Sequence, residues 1–331
     1  VTAGGLRIGV IGASGCLGSE LLELLAQSSL DVGEIRAVAT QRSLGREFEF
    51  RGVGVPIETE APPLRGLDLL FLCAPADVSM EFARQALRAE VPCIDVGGAL
   101  AASRELQLQV AAFGPPAAPQ ATPLLVAPPA PALALALVLR PLAEAAGLRR
   151  VSGTCLDGAS WSGRAGIEAL YRESLALFNQ AEPPELEAFP QPVAFDCLPR
   201  LGSLDAAGGS DPQHRQLAAL GRLLGEGVGF ALTGVQVPVF VGFGAALAAE
   251  TQRALSPEQA EALLGKAPGL DLSEPAPSLR AAAGSDAVRV GRVRCDASVE
   301  HGLLLWVAAD LPHLAAANAV RLAVARVGRH H

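Results

Sequence analysis

Gly12, Gly15 and Gly18 stand between the apolar run RIGVI (7–11) and SELLELLAQ (19–27), whose apolar residues recur at helical spacing. Strand, glycine-rich turn and helix start together form a phosphate cradle. Glycines let the backbone approach a pyrophosphate, and the helix start supplies N–H groups and a positive dipole end. The same glycines also fit a tight structural turn. The downstream sequence favours the cradle, because GEIRAVAT (33–40), DLLFLCAPA (68–76) and VPCIDV (91–96) read as strands and VSMEFARQALRA (78–89) as a helix. Strands alternating with helices imply a parallel sheet built from βαβ units.

A dinucleotide held there meets the end of the second strand with its ribose. An acid at that point accepts the hydroxyls of NAD, whereas an arginine suits the extra phosphate of NADP. The sequence offers Thr40-Gln41-Arg42-Ser43. The expected cofactor is therefore NADP, bound by Gly12, Ala13, Ser14, Gly15, Cys16, Leu17, Gly18, Arg42 and Ser43. Arg42 also reads as a surface residue, because Lys266 is the only lysine among 26 basic residues and arginine serves everywhere else.

The grammar changes after the Pro/Ala-rich stretch AFGPPAAPQATPLL (112–125), which reads as a boundary or surface loop. VSGTCLDGASWSG (151–163) reads as strand then loop, with a helix over about 164–178 and mostly loop through 179–212. GVGFALTGVQVPVFVG (227–242), GAALAAET (244–251), AVRVGRVRC (287–295) and LLLWVAA (303–309) read as strands of a mixed, largely antiparallel sheet. Ser256-Pro257-Glu258-Gln259 has capping-box form. ALALALVL (132–139) alternates like a strand, but its Ala/Leu content argues for helix, and HLAAANAVRLAVARV (313–327) reads as an amphipathic helix. The expected fold class is α/β: a Rossmann-like dinucleotide-binding domain, 1–127 plus 312–331, and an α+β domain with a mixed sheet, 128–311.

Composition removes several function classes. A net charge of −8 argues against nucleic acid as a partner, and the ARVGRHH tail is too short for a basic patch. No apolar run reaches the roughly 20 residues of a membrane span, and VTAGGLRIGVIG lacks the form of a signal peptide. The six cysteines, 16, 73, 93, 155, 197 and 295, show neither CxxC nor metal-ligand spacing. They read as reduced thiols of a cytoplasmic protein with no metal site.

The blocks GASGCLGSELLELL, ATQRSLG, SMEFARQAL, CIDVGGAL, RPLAEAAGLRRV, SGRAGIEAL, VQVPVFVG, GRVRCDAS, LLLWVAADL and AAANAVRLA resemble, in order and along nearly the whole chain, the aspartate-semialdehyde dehydrogenases. Within that family the chain resembles the Usg-type homologues. The resemblance implies a homodimer, places Asn318 of AAANAVRLA at the cofactor, and implies a reaction. A cysteine thiolate attacks an aldehyde, a histidine moves the proton, hydride passes to NADP, phosphate releases the acyl group, and arginines hold the anions.

At the positions that carry these roles the sequence departs from the family. Counted back from RPL, the family's N-P-N-C-S-T falls on residues 127–132, which puts Ala130 at the nucleophile. Val237-Pro238-Val239 puts Phe243 at the acid/base histidine and Gln236 at the carboxylate-clamp arginine. Ala159 of GASWSG takes the place of a glutamine, and Ala101 of DVGGALA that of a phosphate-binding arginine. A more variable segment sets Arg215 at a lysine and Pro212 at its acidic partner. Alanine has no nucleophilic atom and phenylalanine transfers no proton. The expectation is a catalytically inactive NADP-binding dimer. One alternative is an NADP-dependent aldehyde dehydrogenase with displaced chemistry, on Cys73, Cys16 or Cys155; none of His214, His301 and His313 stands at a family catalytic position. Another is a subunit that pairs with an active paralogue.

Overall fold

The computed structural model describes residues 4–60, 63–116, 122–182 and 188–327. The chain divides into two compact units, one made of residues up to 130 and from 315 onward, the other of residues 131–314. The terminal RHH, residues 1–3 and part of the 112–125 stretch lie outside the described residues.

The first unit runs β1 (Leu6–Ile11), α1 (Cys16–Gln27), β2 (Val32–Val38), β3 (Glu47–Phe50), β4 (Val53–Glu58), β5 (Leu69–Leu72), α2 (Ala76–Arg88), β6 (Cys93–Asp95) and β7 (Leu124–Val126). Its seven-stranded sheet has the order β3-β4-β2-β1-β5-β6-β7. β1 pairs in parallel with β2 on one side and β5 on the other, and β6 and β7 continue in parallel. The strand order reverses at β1, which makes its carboxyl end the switch point of a doubly wound sheet. β5, β6 and β7 are buried at every residue, as strands covered on both faces should be. β3 and β4 form an antiparallel hairpin through Arg51 and Gly52, at φ 51° and 81°. Positive φ at both turn residues matches the twist of the strands they join.

The second unit runs α3 (Ala130–Ala146), β8 (Leu148–Asp157), α4 (Gly163–Phe178), α5 (Asp211–Leu224), β9 (Gly229–Gln236), β10 (Phe243–Thr251), α6 (Pro257–Leu264), β11 (Leu270–Asp271), β12 (Val288–Asp296) and β13 (Gly302–Ala309). Its six strands lie in the order β11-β12-β13-β10-β8-β9. β10 is antiparallel to β8 and β13, and β12 to β13, while the outer pairs β8–β9 and β11–β12 are parallel. In α3 every residue from Ala132 to Leu139 is buried, so its Ala/Leu alternation belongs to a helix covered on all sides. α6 begins on a complete capping box, with Gln259 N donating to Ser256 Oγ at 3.3 Å and Ser256 N donating to Gln259 Oε1 at 2.9 Å.

The last helix, α7 (Leu311–Val327), returns to the first unit from Ala315. Ala316, Ala319, Leu322 and Ala323 join Ile8, Val10, Leu21, Leu25 and Phe71 in that unit's core.

Candidate active site

The glycine turn is fixed by close approach. Gly12 follows β1 at φ 85°, and a Cβ there would stand 2.7 Å from the carbonyl oxygen of Cys73, just past β5. A Cβ on Gly18 would run into the Gly12 carbonyl and stand 2.8 Å from Ala13 Cα. Gly12 and Ala13 both donate to the Val38 carbonyl, at 2.9 and 3.0 Å, which draws the end of β2 in as well. Ser43 Oγ donates to Ser14 Oγ at 2.8 Å and ties the turn after β2 to the glycine turn. Arg42, in the same short helical turn, is exposed. The acid next to the end of β2 is Glu58, the register partner of Val38; it is held by Arg36 through two bonds of 3.1 and 3.2 Å.

These residues fit a dinucleotide. Two positions tolerate no side chain, and Gly15, the residue before α1, brings no capping group of its own to a helix start whose dipole favours phosphate. Asn318 is buried, with its Oδ1 accepting from Ala111 N at 2.8 Å and its Nδ2 donating to Gln109 O at 3.3 Å. Its visible work is to anchor that backbone to α7.

Asp95 closes β6 and accepts from Ala99 N at 3.1 Å and Leu100 N at 2.7 Å, curling residues 97–101 into a tight turn. Burial lifts its carboxyl to about 6, against the pull of those backbone N–H groups. Gly98, at φ 70°, lies where a Cβ would meet Pro129 N at 2.5 Å. The turn that carries Ala101 is thus pressed onto the segment leading into Ala130, the first residue of α3. A thiol at that helix start would have a lowered pKa; alanine leaves the position chemically empty.

In the second unit one row of paired residues crosses the sheet at the end of β8: Gln236 on β9, Asp157 on β8, Phe243 on β10 and Ala309 on β13. Paired residues point to the same face. Just beyond, Gly158, Ala159 and Ser160 donate to the carbonyls of Gly242, Val239 and Phe240 at 2.9, 2.7 and 2.9 Å. Gln236 and Phe243 therefore flank Asp157 on its two sides, Ala159 follows it by two residues, and all three are buried. Gln236 spends its amide on the Asp157 backbone carbonyl at 2.7 Å.

Sequence reasoning missed Asp157. It is 1% exposed, its Oδ1 has no hydrogen-bond partner, and burial raises its carboxyl to about 7. A lone acid closing the strand LRRVSGTCLD just before GASWSG was the available signal, and it reads equally well as a turn residue.

The displaced-nucleophile candidates fare poorly. Burial, then the charge of Asp95, pushes the Cys73 thiol far up. Burial, then Asp157, pushes Cys155 to about 12, and Gln216 Nε2 lies 3.6 Å from its sulfur. Cys16 is half-buried at the start of α1. Of the histidines, His214 lies 3.6 Å from Asp205 on the surface, and His301 Nδ1 is 3.0 Å from the Glu300 carbonyl. His313 is half-buried in the first turn of α7. Arg215 pairs with Asp211 along α5 at 2.6 Å, and Pro212 lies in the first turn of that helix. Among the described residues no group of three metal-ligating side chains occurs, and no helix is long and apolar enough to cross a membrane.

Comparison with known proteins agrees with the α/β fold. Residues 7–126 match the semialdehyde dehydrogenase NAD-binding domain, and residues 139–311 the semialdehyde dehydrogenase dimerisation domain. An aspartate-semialdehyde dehydrogenase of Streptomyces akiyoshiensis is 32% identical, with 96% of this chain and 97% of that protein covered. A USG-1 protein homolog of Azotobacter vinelandii is 31% identical, with 96% of each covered. The crystal structure of aspartate semialdehyde dehydrogenase II from Vibrio cholerae, complexed with ASA, superposes with a TM-score of 0.91 at 27% identity, covering 99% of this chain and all of that one.

The buried groups set the pH response and the thiol reactivity. A carboxyl raised in the folded state stabilises below its unfolded value and loses that contribution as pH climbs to its folded value. Stability should therefore fall between about pH 4 and 7, at roughly 1.4 kcal/mol per pH unit for each group. Asp95 is spent by about 6, so Asp157→Asn should flatten the pH 6–7 part of urea-denaturation midpoints. At pH 7.5 iodoacetamide should label the exposed Cys197 and Cys295 within minutes and leave Cys73, Cys93 and Cys155 unmodified, as read by peptide mass spectrometry.

Proposed function

The chain belongs to the aspartate-semialdehyde dehydrogenase family, and from that premise we propose that it is an NADP-binding homodimer that has lost the family's reaction. One observation carries the reading: the residues aligned with nucleophile, acid/base and carboxylate clamp are Ala130, Phe243 and Gln236, and the last two are buried on either side of Asp157. Loss of a coupled set costs far more than loss of one member, since the groups act as a unit. Bound NADP would supply a hydride acceptor, but no side chain at these positions offers a thiolate to attack an aldehyde or a base to take the proton.

The chain's own residues still do part of the work. Gly12 and Gly18 keep the backbone bare for the pyrophosphate, Ser14 and Ser43 fasten the two turns, and Arg42 stands exposed for a ribose phosphate. The raised thiols of Cys73 and Cys155 weigh against displaced chemistry. The free cysteines accord with a cytoplasmic protein.

A second copy is the proposed partner. α4 exposes Tyr171, Leu175 and Phe178 along one face, and Phe178 meets the exposed Phe195 edge-on at 5.6 Å, all within the residues that match the dimerisation domain. An apolar face of this kind calls for cover.

NADPH should raise the melting temperature, and Arg42→Ala should weaken NADPH about tenfold while leaving NADH unchanged. With aspartate semialdehyde, phosphate and NADP, turnover should lie at least ~10,000-fold below that of a relative bearing the Cys and His. Turnover near that of such a relative would sink the inactive reading; failure of either nucleotide to bind would sink the cofactor reading. Light scattering should give twice the 33.9 kDa chain mass, and Leu175→Asp with Phe178→Asp should halve it. A wild-type chain that is monomeric alone but pairs with a co-expressed active relative would favour the mixed-dimer alternative.

A further inference from the structure

The row at the end of β8 holds a group that neither the family's chemistry nor the fold explains. Asp157 is closed off from solvent, and its Oδ1 meets no donor. Buried carboxyl oxygens are almost always satisfied, because an unmet one keeps its full desolvation cost. Its neighbours cannot meet the need. Gln236 directs its amide at the Asp157 backbone carbonyl, Cys155 lies two residues back on the same strand with its sulfur against Gln216 on α5, and Phe243 is the direct cross-strand partner on β10. Among the described residues no arginine, lysine or histidine pairs with the carboxyl, and burial alone accounts for its raised value.

What this corner lacks is a positively charged donor. A carboxyl beside an aromatic ring is a pair that recognises ammonium: the carboxylate takes the N–H bonds and the ring face takes the cation. At the same place Gln236 offers an anion no positive charge. We propose that Asp157 and Phe243 form the anchor of a binding site for a small organic cation bearing an ammonium group. The proposal rests on reading residues 236 and 243 as former substrate positions, and it puts an ammonium where residue 236 would have met a carboxylate. Entry requires the turn of Gly158–Ser160 to move, since it is clasped to residues 239–242 by three backbone hydrogen bonds.

Binding ionises the carboxyl, and its proton leaves to buffer. Affinity for a cation should thus rise about tenfold per pH unit below about 7 and level off above it. The test is calorimetric titration of the full chain with methylammonium and ethanolamine, against acetate and succinate, at pH 6 and pH 8. Two buffers of different ionisation enthalpy count the released proton. The expected result is cation binding, stronger at pH 8, with close to one proton released at pH 6. Asp157→Asn should abolish it and Phe243→Leu should weaken it severalfold, while both variants keep the wild-type NADPH response. No cation binding at either pH, binding of the anions instead, or cation binding that survives Asp157→Asn would each overturn the proposal. Because NADPH titration and aldehyde turnover are read separately, failure of the cofactor or inactivity readings is distinguishable from failure here.

Discussion

The first unit is organised around a contact with no room for a side chain. β1 lies where the strand order reverses, and its last step brings the Gly12 backbone onto the Cys73 carbonyl while Gly18 sits on Gly12. Any Cβ would push apart the ends of β1 and β5 or lift α1 from the sheet. The same closeness that packs helix on strand leaves bare backbone at the helix start, so the constraint that builds the fold also supplies what the proposed phosphate cradle needs. Ser14 and Ser43 carry this to the end of β2.

On the proposed function, the two halves of the family's machinery fare differently, and the reason is physical. The cradle is made of backbone and cannot be lost without disturbing the sheet. On the proposed function the chemistry depended on side-chain tips at positions 130, 236 and 243, and at the last two Gln236 and Phe243 now pack buried. Phe243 and Ala159 bury well where a polar residue would need partners.

Legibility in the sequence divides along the same line. β1, the glycine turn and α1 are readable because glycine spacing and helical periodicity are local signals. The capping box on α6 is readable for the same reason. The β3–β4 hairpin goes unread although EFEF alternates and Arg51-Gly52 supplies a turn, since two short strands rich in glutamate and glycine look like surface. α5 is hidden behind the prolines and glycines that precede Asp211, although Ser210 and Pro212 mark a helix start. The parallel pairing of β8 with β9 depends on partners some eighty residues apart, beyond any local pattern. The family alignment names Gln236, Ala159 and Phe243. Asp157 between them is invisible to it, because its meaning lies in what fails to surround it.

α7 has a consequence for how the chain is made. Its residues complete the core of the first unit, yet they come after the whole of the second unit in sequence. On a ribosome the second unit, contiguous from 131 to 314, has everything it needs to fold before the first does. The sheet around β1 must wait with Ile8, Val10 and Leu21 uncovered until Ala316 to Ala323 emerge. During synthesis the first unit, translated ahead of the second, is finished after it.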